Sequence, residues 1–240
     1  MPREIVLKVT SVRRATPATR IVRLDLESSR FRFKPGQAAM IGLADSVDRV
    51  PYSIASSPRE AAAENELEFL IKIEPSGRWG HKFDRIARGQ RVAVHGPFGA
   101  FVYPDRPGQK QLLFIAGGTG IAPIRSMIAH AIGTGLAGRL KLLYSARTAE
   151  DFAYLSELRG MVRRGQIELR LHATRETSSG TETWRGERGR ITPEHLKPLV
   201  NAQQTLGFVC GPAAMVEDVP VMLEQLGVPP QNVKLEKWSS

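Results

Sequence analysis

The sequence predicts a β + α/β chain, an antiparallel barrel of short strands over residues 1–106 followed by a parallel, crossover-connected sheet over residues 107–240. Three observations carry this expectation. The first hundred residues hold short runs rich in β-branched and aromatic residues, broken by Pro35-Gly36, Ser57-Pro58 and Gly96-Pro97. Next comes Pro104-Asp-Arg-Pro-Gly-Gln109, a stretch with the composition of a linker. Beyond it, apolar strand runs alternate with helical patterns, and that alternation implies parallel strands joined by right-handed crossovers.

In the first part the expected strands are Ile5 to Val12, Arg20 to Leu26, Gln37 to Leu43, Tyr52 to Ser57, Leu67 to Ile73 and Arg91 to His95. A helix is expected near Gly80 to Arg88, where Phe83, Ile86 and Ala87 fall on one face at helical spacing. In the second part, strands at Gln111 to Ala116, Arg139 to Tyr144, Ile167 to Ala173 and Leu206 to Cys210 alternate with helices at Ile121 to Ile132, Ala149 to Val162 and Pro193 to Leu199. A helix over Ala213 to Leu226 and a short strand, Val233 to Glu236, close the chain. The polar, Gly-containing stretch Glu176 to Arg190 is expected to be a surface loop.

Composition excludes several classes. Hydrophobic residues make up 42% and charged residues 24%, which is ordinary globular usage. The longest apolar runs, such as Leu112 to Ala116, fall far short of the roughly 20 residues that cross a bilayer, and the first residues lack the apolar core of a secretory signal. The cytoplasm is therefore the expected location. One cysteine, Cys210, allows neither an internal disulfide nor the set of about four thiolates that an iron-sulfur cluster needs. The five histidines are scattered, so no metal site is expected. A net charge of +10 and a pI near 10.2 favour acidic proteins, polyanions or phosphorylated ligands. Lys and Arg are spread over both halves without a basic helix or an aromatic-basic repeat, which argues against a nonenzymatic nucleic-acid-binding protein.

The strongest local signal is Phe114-Ile-Ala-Gly-Gly-Thr-Gly-Ile-Ala-Pro-Ile-Arg-Ser-Met127, a strand that runs through glycines into a helix. Gly117, Gly118 and Gly120 let backbone approach a phosphate, Thr119 adds a hydroxyl, and Pro123 suits a first helical turn. Unpaired N–H groups and the helix dipole favour a pyrophosphate there. A second segment, Arg49-Val-Pro-Tyr-Ser-Ile-Ala-Ser-Ser-Pro58, places a cation, an aromatic ring and a hydroxyl together. Two more follow, Glu74-Pro-Ser-Gly-Arg-Trp-Gly-His81 and Gly96-Pro-Phe-Gly-Ala-Phe101.

The order of these four segments, followed by Phe208-Val-Cys-Gly-Pro-Ala-Ala-Met215, resembles the ferredoxin-NADP reductase family over essentially the whole chain. The resemblance implies an FAD-binding barrel and a Rossmann-like NAD(P)-binding domain, with FAD expected rather than FMN. It sets Tyr52 and Ser53 against the flavin ring, and makes Gly77 to Gly80 a pyrophosphate turn, with Trp79 beside the adenine. Gly117, Gly118, Thr119, Gly120 and Pro123 would hold the nicotinamide dinucleotide, and Cys210, Gly211 and Pro212 would lie beside the nicotinamide. Arg49 stands three residues before Tyr52 where the family has its arginine two before, so a local bulge would be needed to reach the flavin phosphate. Near the end, Glu236 and Trp238 are similar to the family's acidic and aromatic ending; Trp238 either covers the flavin or anchors the terminus. Ser53, Cys210 and Glu236 are the expected catalytic residues.

Choice of dinucleotide rests on whether cations or a carboxylate meet the adenosine ribose. Ser145 and Arg147 follow the second strand of the parallel part, and Thr174-Arg175-Glu176 follows the third, a pattern that leans toward NADPH over NADH. The resemblance implies an NAD(P)H-dependent reductase of an acidic electron-transfer protein: a ferredoxin, a flavodoxin or an oxygenase component. Reduction of a small acceptor such as a ferric chelate is the alternative.

Overall fold

The computed structural model describes residues 3–27, 29–73, 83, 85–108, 110–136, 139–175 and 184–237. The chain divides into two compact units, one of residues 1–103 with 125–133 and one of residues 104–124 with 134–240.

The first unit is built on six antiparallel strands, β1 Arg3–Thr16, β2 Thr19–Asp25, β3 Ala38–Leu43, β4 Val50–Ser53, β5 Glu66–Lys72 and β6 Arg91–Phe98, in the order β4-β3-β6-β1-β2-β5. A bridge between Ile54 and Phe69 joins the two ends of this order, so the sheet closes. Strand β1 serves two neighbours: Arg3 to Lys8 pairs with β6 and Lys8 to Thr16 with β2, with register shifts at Val9/Ser11 and Arg14/Thr16. Alternation decides which side chains fill the interior: Leu7 and Val9 are buried while Lys8 between them is exposed. Leu24, Ile41, Ile54, Phe69, Ile71, Phe83 and Val94 complete the core.

A helix that the sequence reading left out, α1 Pro58–Glu64, begins where a strand end was expected. The signal was present: Ser57 accepts from the Glu60 N–H at 3.2 Å, Glu60 accepts from the Ser57 N–H at 2.7 Å, and proline occupies the first turn. The helix expected near Gly80 to Arg88 falls largely outside the described residues; Phe83 and Ile86 are buried as that pattern required, but Ala87 is exposed.

The second unit is a parallel sheet of β7 Gln111–Gly117, β8 Leu140–Ala146, β9 Glu168–Ala173, β10 Glu187–Arg188, β11 Thr205–Gly211 and β12 Val233–Lys237, in the order β10-β9-β8-β7-β11-β12. Strands β7, β8 and β11 are buried almost without interruption, as strands covered on both faces must be. Helices α2 Ile121–Gly133, α3 Leu155–Arg163, α4 Pro193–Leu196 and α5 Ala213–Gln225 connect or flank them. The single helix expected over Ala149 to Val162 is split: Thr148 caps a short 3-10 turn at Ala149–Asp151, and Tyr154, at φ 61°, interrupts before α3. Phe152, Ala153 and Tyr154 are buried, so tertiary packing overrides the helical pattern there. Within the stretch expected as loop, Glu187 and Arg188 form the two-residue edge strand beside β9.

Candidate functional site

The strand order reverses direction at β7, with β8, β9 and β10 on one side and β11 and β12 on the other. In open α/β sheets the crevice beyond the carboxyl ends of the strands at such a reversal is where ligands bind. The turns that leave β7 and β11 meet there: a Cβ on Gly120 would lie 2.2 Å from the Cys210 carbonyl oxygen, and one on Gly211 would lie 3.1 Å from the Gly117 Cα. On Gly117 a Cβ would meet Pro212 at 2.7 Å. Two of the glycines predicted for phosphate contact, Gly117 and Gly120, and Gly211 predicted beside the nicotinamide, are thus required to let two turns pack together.

Gly118 has a different reason. At φ +55° it occupies the left-handed region, and a Cβ there would meet nothing within 4 Å, so it borders open space. The 3-10 turn Gly118–Gly120 runs directly into α2. In such a turn each N–H bonds back three residues, so the N–H groups of Gly118 and Thr119 precede the first bond. Open space, left-handed glycine and unpaired donors at the start of a 13-residue helix fit a pyrophosphate. Pro123 is buried in the first turn of α2.

Register brings Cys210 of β11 opposite Glu236 of β12, and the buried thiol donates to the Glu236 carboxylate at 3.8 Å. Pro212 stands exposed before α5. Trp238 lies outside the described residues.

Beyond β8 and β9 the main chain continues as a ladder. The Thr174 N–H donates to the Ala146 carbonyl at 2.9 Å and the Arg175 N–H to that of Arg147 at 2.7 Å. Thr174 Oγ1 also donates to the Ala146 carbonyl at 3.2 Å. Two exposed arginines, Arg147 and Arg175, are therefore set side by side, with buried Ser145 at the end of β8. Glu176 lies outside the described residues.

In the first unit, β4 carries Tyr52 and Ser53. Tyr52 is half-buried, its ring edge-on to Phe83 at 6.2 Å, and Ser53 is buried opposite Ala38. The aromatic face and adjacent hydroxyl fit a flat ring with polar nitrogens. Arg49 is not brought to them: its guanidinium donates to the carbonyls of Leu43 at 3.4 Å, Asp48 at 2.9 Å and Ser46, and pairs with Glu4 at 3.3 Å. Gly77, Trp79 and Gly80 lie outside the described residues.

Sequence reasoning missed Arg125 and Ser126, which interrupt the apolar run of α2. Arg125 is buried, donates to the Ala55 carbonyl at 2.8 Å and pairs with Glu60 at 3.1 Å; Ser126 Oγ donates to the Ser56 carbonyl at 2.7 Å. Together they fix the segment that follows Ser53. Among the described residues no group of three or more His, Cys, Asp or Glu side chains could hold a metal, and no helix is long and apolar enough to cross a membrane.

Residues 6–103 match the oxidoreductase FAD-binding domain and residues 114–220 the oxidoreductase NAD-binding domain. The reductase component of propane 2-monooxygenase from Mycolicibacterium goodii is 31% identical over 238 residues, covering 96% of this chain and 67% of that protein. The ferredoxin–NAD(P)(+) reductase component of the naphthalene 1,2-dioxygenase system from Pseudomonas putida is 29% identical over 230 residues, covering 95% of this chain and 67% of that protein. Among solved structures, a cytochrome P450 reductase from Amycolatopsis shares the fold at a TM-score of 0.86 and 24% identity, over 100% of this chain and 71% of that one. With both domains matched and a 31% identical relative covering 96% of its length, the chain belongs to the ferredoxin-NADP reductase family of FAD-dependent, NAD(P)H-linked oxidoreductases.

Proposed function

We propose that this oxidoreductase takes electrons from NADPH in preference to NADH and delivers them to a separate acidic redox protein, a ferredoxin, a flavodoxin or an oxygenase component. Residues 1–106 would form the FAD-binding half and residues 107–240 the nucleotide-binding half. The observation that carries the choice of nucleotide is the ladder beyond β8 and β9, which sets Arg147 and Arg175 together where a 2'-phosphate would need cations. The net charge of +10 supports an acidic partner, and two of the relatives named above are reductase components of oxygenase systems.

When bound, FAD accepts a hydride from the nicotinamide and can release electrons singly to an acceptor. The chain's own residues position and tune. Tyr52 offers its ring face and Ser53 its hydroxyl to the flavin, held in place by the bonds of Arg125 and Ser126 to the backbone of Ala55 and Ser56. The turn at Gly118 and Thr119 presents N–H groups to the pyrophosphate of the dinucleotide. Cys210, oriented by its bond to Glu236, shapes the nicotinamide pocket with Gly211 and Pro212. No general base is required, because hydride transfer needs proximity and alignment.

Anaerobic titration with NADPH and, separately, NADH, followed by flavin absorbance, tests this reading. Bleaching at lower NADPH than NADH is expected, and Arg175→Ala should narrow the difference. Equal bleaching by both, unchanged in Arg175→Ala, would overturn the nucleotide assignment. A protein that takes up neither FAD nor FMN would overturn the functional reading.

A further inference from the structure

Tyr144 ends the run of large side chains on β8 and is fully buried, yet its hydroxyl is bonded twice. It donates to the Gly118 carbonyl at 3.2 Å and accepts from the Ala153 N–H at 3.2 Å. Phe152 packs edge-on against its ring at 4.9 Å, and Trp184 stacks on Phe152 at 5.2 Å, so the ring is held from outside as well. Burial pushes the hydroxyl well above the ordinary tyrosine range, so it keeps its proton and remains a donor at any working pH.

The partner of that donor matters because of peptide geometry. In a planar trans peptide the carbonyl of one residue and the N–H of the next point in opposite directions. A hydroxyl that draws the Gly118 carbonyl into the protein interior therefore turns the Thr119 N–H outward, toward the space that no Cβ contact fills at Gly118. Glycine at φ +55° leaves this peptide plane freer to rotate than any other residue would, and two donors hold its carbonyl, the Ile121 N–H from within the turn and the Tyr144 hydroxyl from outside it.

We propose that Tyr144 is a positioning residue for dinucleotide binding: by holding the Gly118 carbonyl it aims the Thr119 N–H at the pyrophosphate. The same hydroxyl ties the turn to Ala153, and thus to the loop that follows Arg147. Tyr144 touches no ligand itself. This inference rests on the reading of the Gly117–Gly120 turn as the dinucleotide site, and the experiment separates the two.

Calorimetric titration of the FAD-loaded wild type with NADP+ and NAD+ comes first; if neither binds, the site reading fails. With binding established, Tyr144→Phe keeps the ring and its packing but lacks the anchor. Affinity for whichever nucleotide binds tighter should fall about tenfold, the equivalent of one hydrogen bond to a charged group. KM should rise in parallel while kcat stays within about twofold, as for loss of a uniform binding interaction. Leu223→Ala, a core variant in α5, supplies the comparison: it should lose stability and keep its nucleotide affinity. Unchanged affinity in Tyr144→Phe, or an equal loss in Leu223→Ala, overturns the proposal. Hydrogen exchange on the wild type gives an arm independent of any variant: the Thr119 amide should gain protection on nucleotide binding, and continued exchange at saturation would also overturn it.

Discussion

His172 is 0% exposed on β9, with neither ring nitrogen bonded among the described residues and the ring of His195 centred 4.4 Å away. Burial, then the neighbouring His195, pushes its pKa down to about 4, with Arg170 acting in the same sense and Glu187 against it. In the unfolded chain the imidazole takes a proton near pH 6.5. Unfolding therefore takes up a proton between about pH 6.5 and 4, and stability contributed by the neutral ring is present above that window and lost as pH falls through it, with a limiting slope of about 1.4 kcal/mol per pH unit. Denaturation by urea across this range should show a shallower acid limb in His172→Leu than in the wild type; equal slopes would show that another group titrates. At Gly120 the prediction is steric. The new methyl of Gly120→Ala would meet the Cys210 carbonyl, which is strand backbone and cannot swing aside, so a loss of about 1–3 kcal/mol is expected in the same assay. Residue identity was legible in the sequence here, but this reason was not: Gly117 and Gly120 read as phosphate contacts and Gly211 as a neighbour of the nicotinamide, while the structure also gives all three a packing duty that only the register of β7 and β11 reveals.

Helix α1 and the segment before it show what an element-scale reading gains and loses. Ser57→Ala removes one member of the capping box and should cost about 1 kcal/mol. A larger loss is expected from Arg125→Ala, because it removes a buried guanidinium together with its bonds to the Ala55 carbonyl and to Glu60; hydrogen bonds to charged groups contribute about 1.5–3 kcal/mol each, and thermal denaturation would rank the two variants. Apolar strand runs were found to within a residue or two at β7, β8 and β11, because strands buried on both faces carry continuous hydrophobic sequence, and equally closely at the partly exposed β9. The run from Tyr52 to Ser57 was read as one strand, although Ser57-Pro58-Arg59-Glu60 already spelled a helix start. Over Ala149 to Val162 the periodicity was real, but burial of Phe152 and Tyr154 breaks the helix, and no local pattern announces that.

For the molecule as a whole, the net charge of +10 makes a prediction about partners rather than about folding. Raising salt from about 0.05 to 0.3 M should slow reduction of an acidic redox protein several-fold, because the screening length shrinks below the span of the facing charges. Reduction of a neutral dye under the same conditions should hold steady; a parallel loss in both would place the salt effect on the nucleotide instead. The two-part organisation was legible from the change in hydrophobic period after residue 109, whereas the grouping of residues 125–133 with the barrel unit was not, because a helix gives no sequence sign of which body its far end serves. The packing of Gly120 against the Cys210 carbonyl also bears on descent. Selection for a stable fold alone is enough to retain that glycine, so a lineage that abandoned nucleotide chemistry would still transmit much of the motif. Gly118, whose side faces open space, would be retained for its left-handed backbone instead.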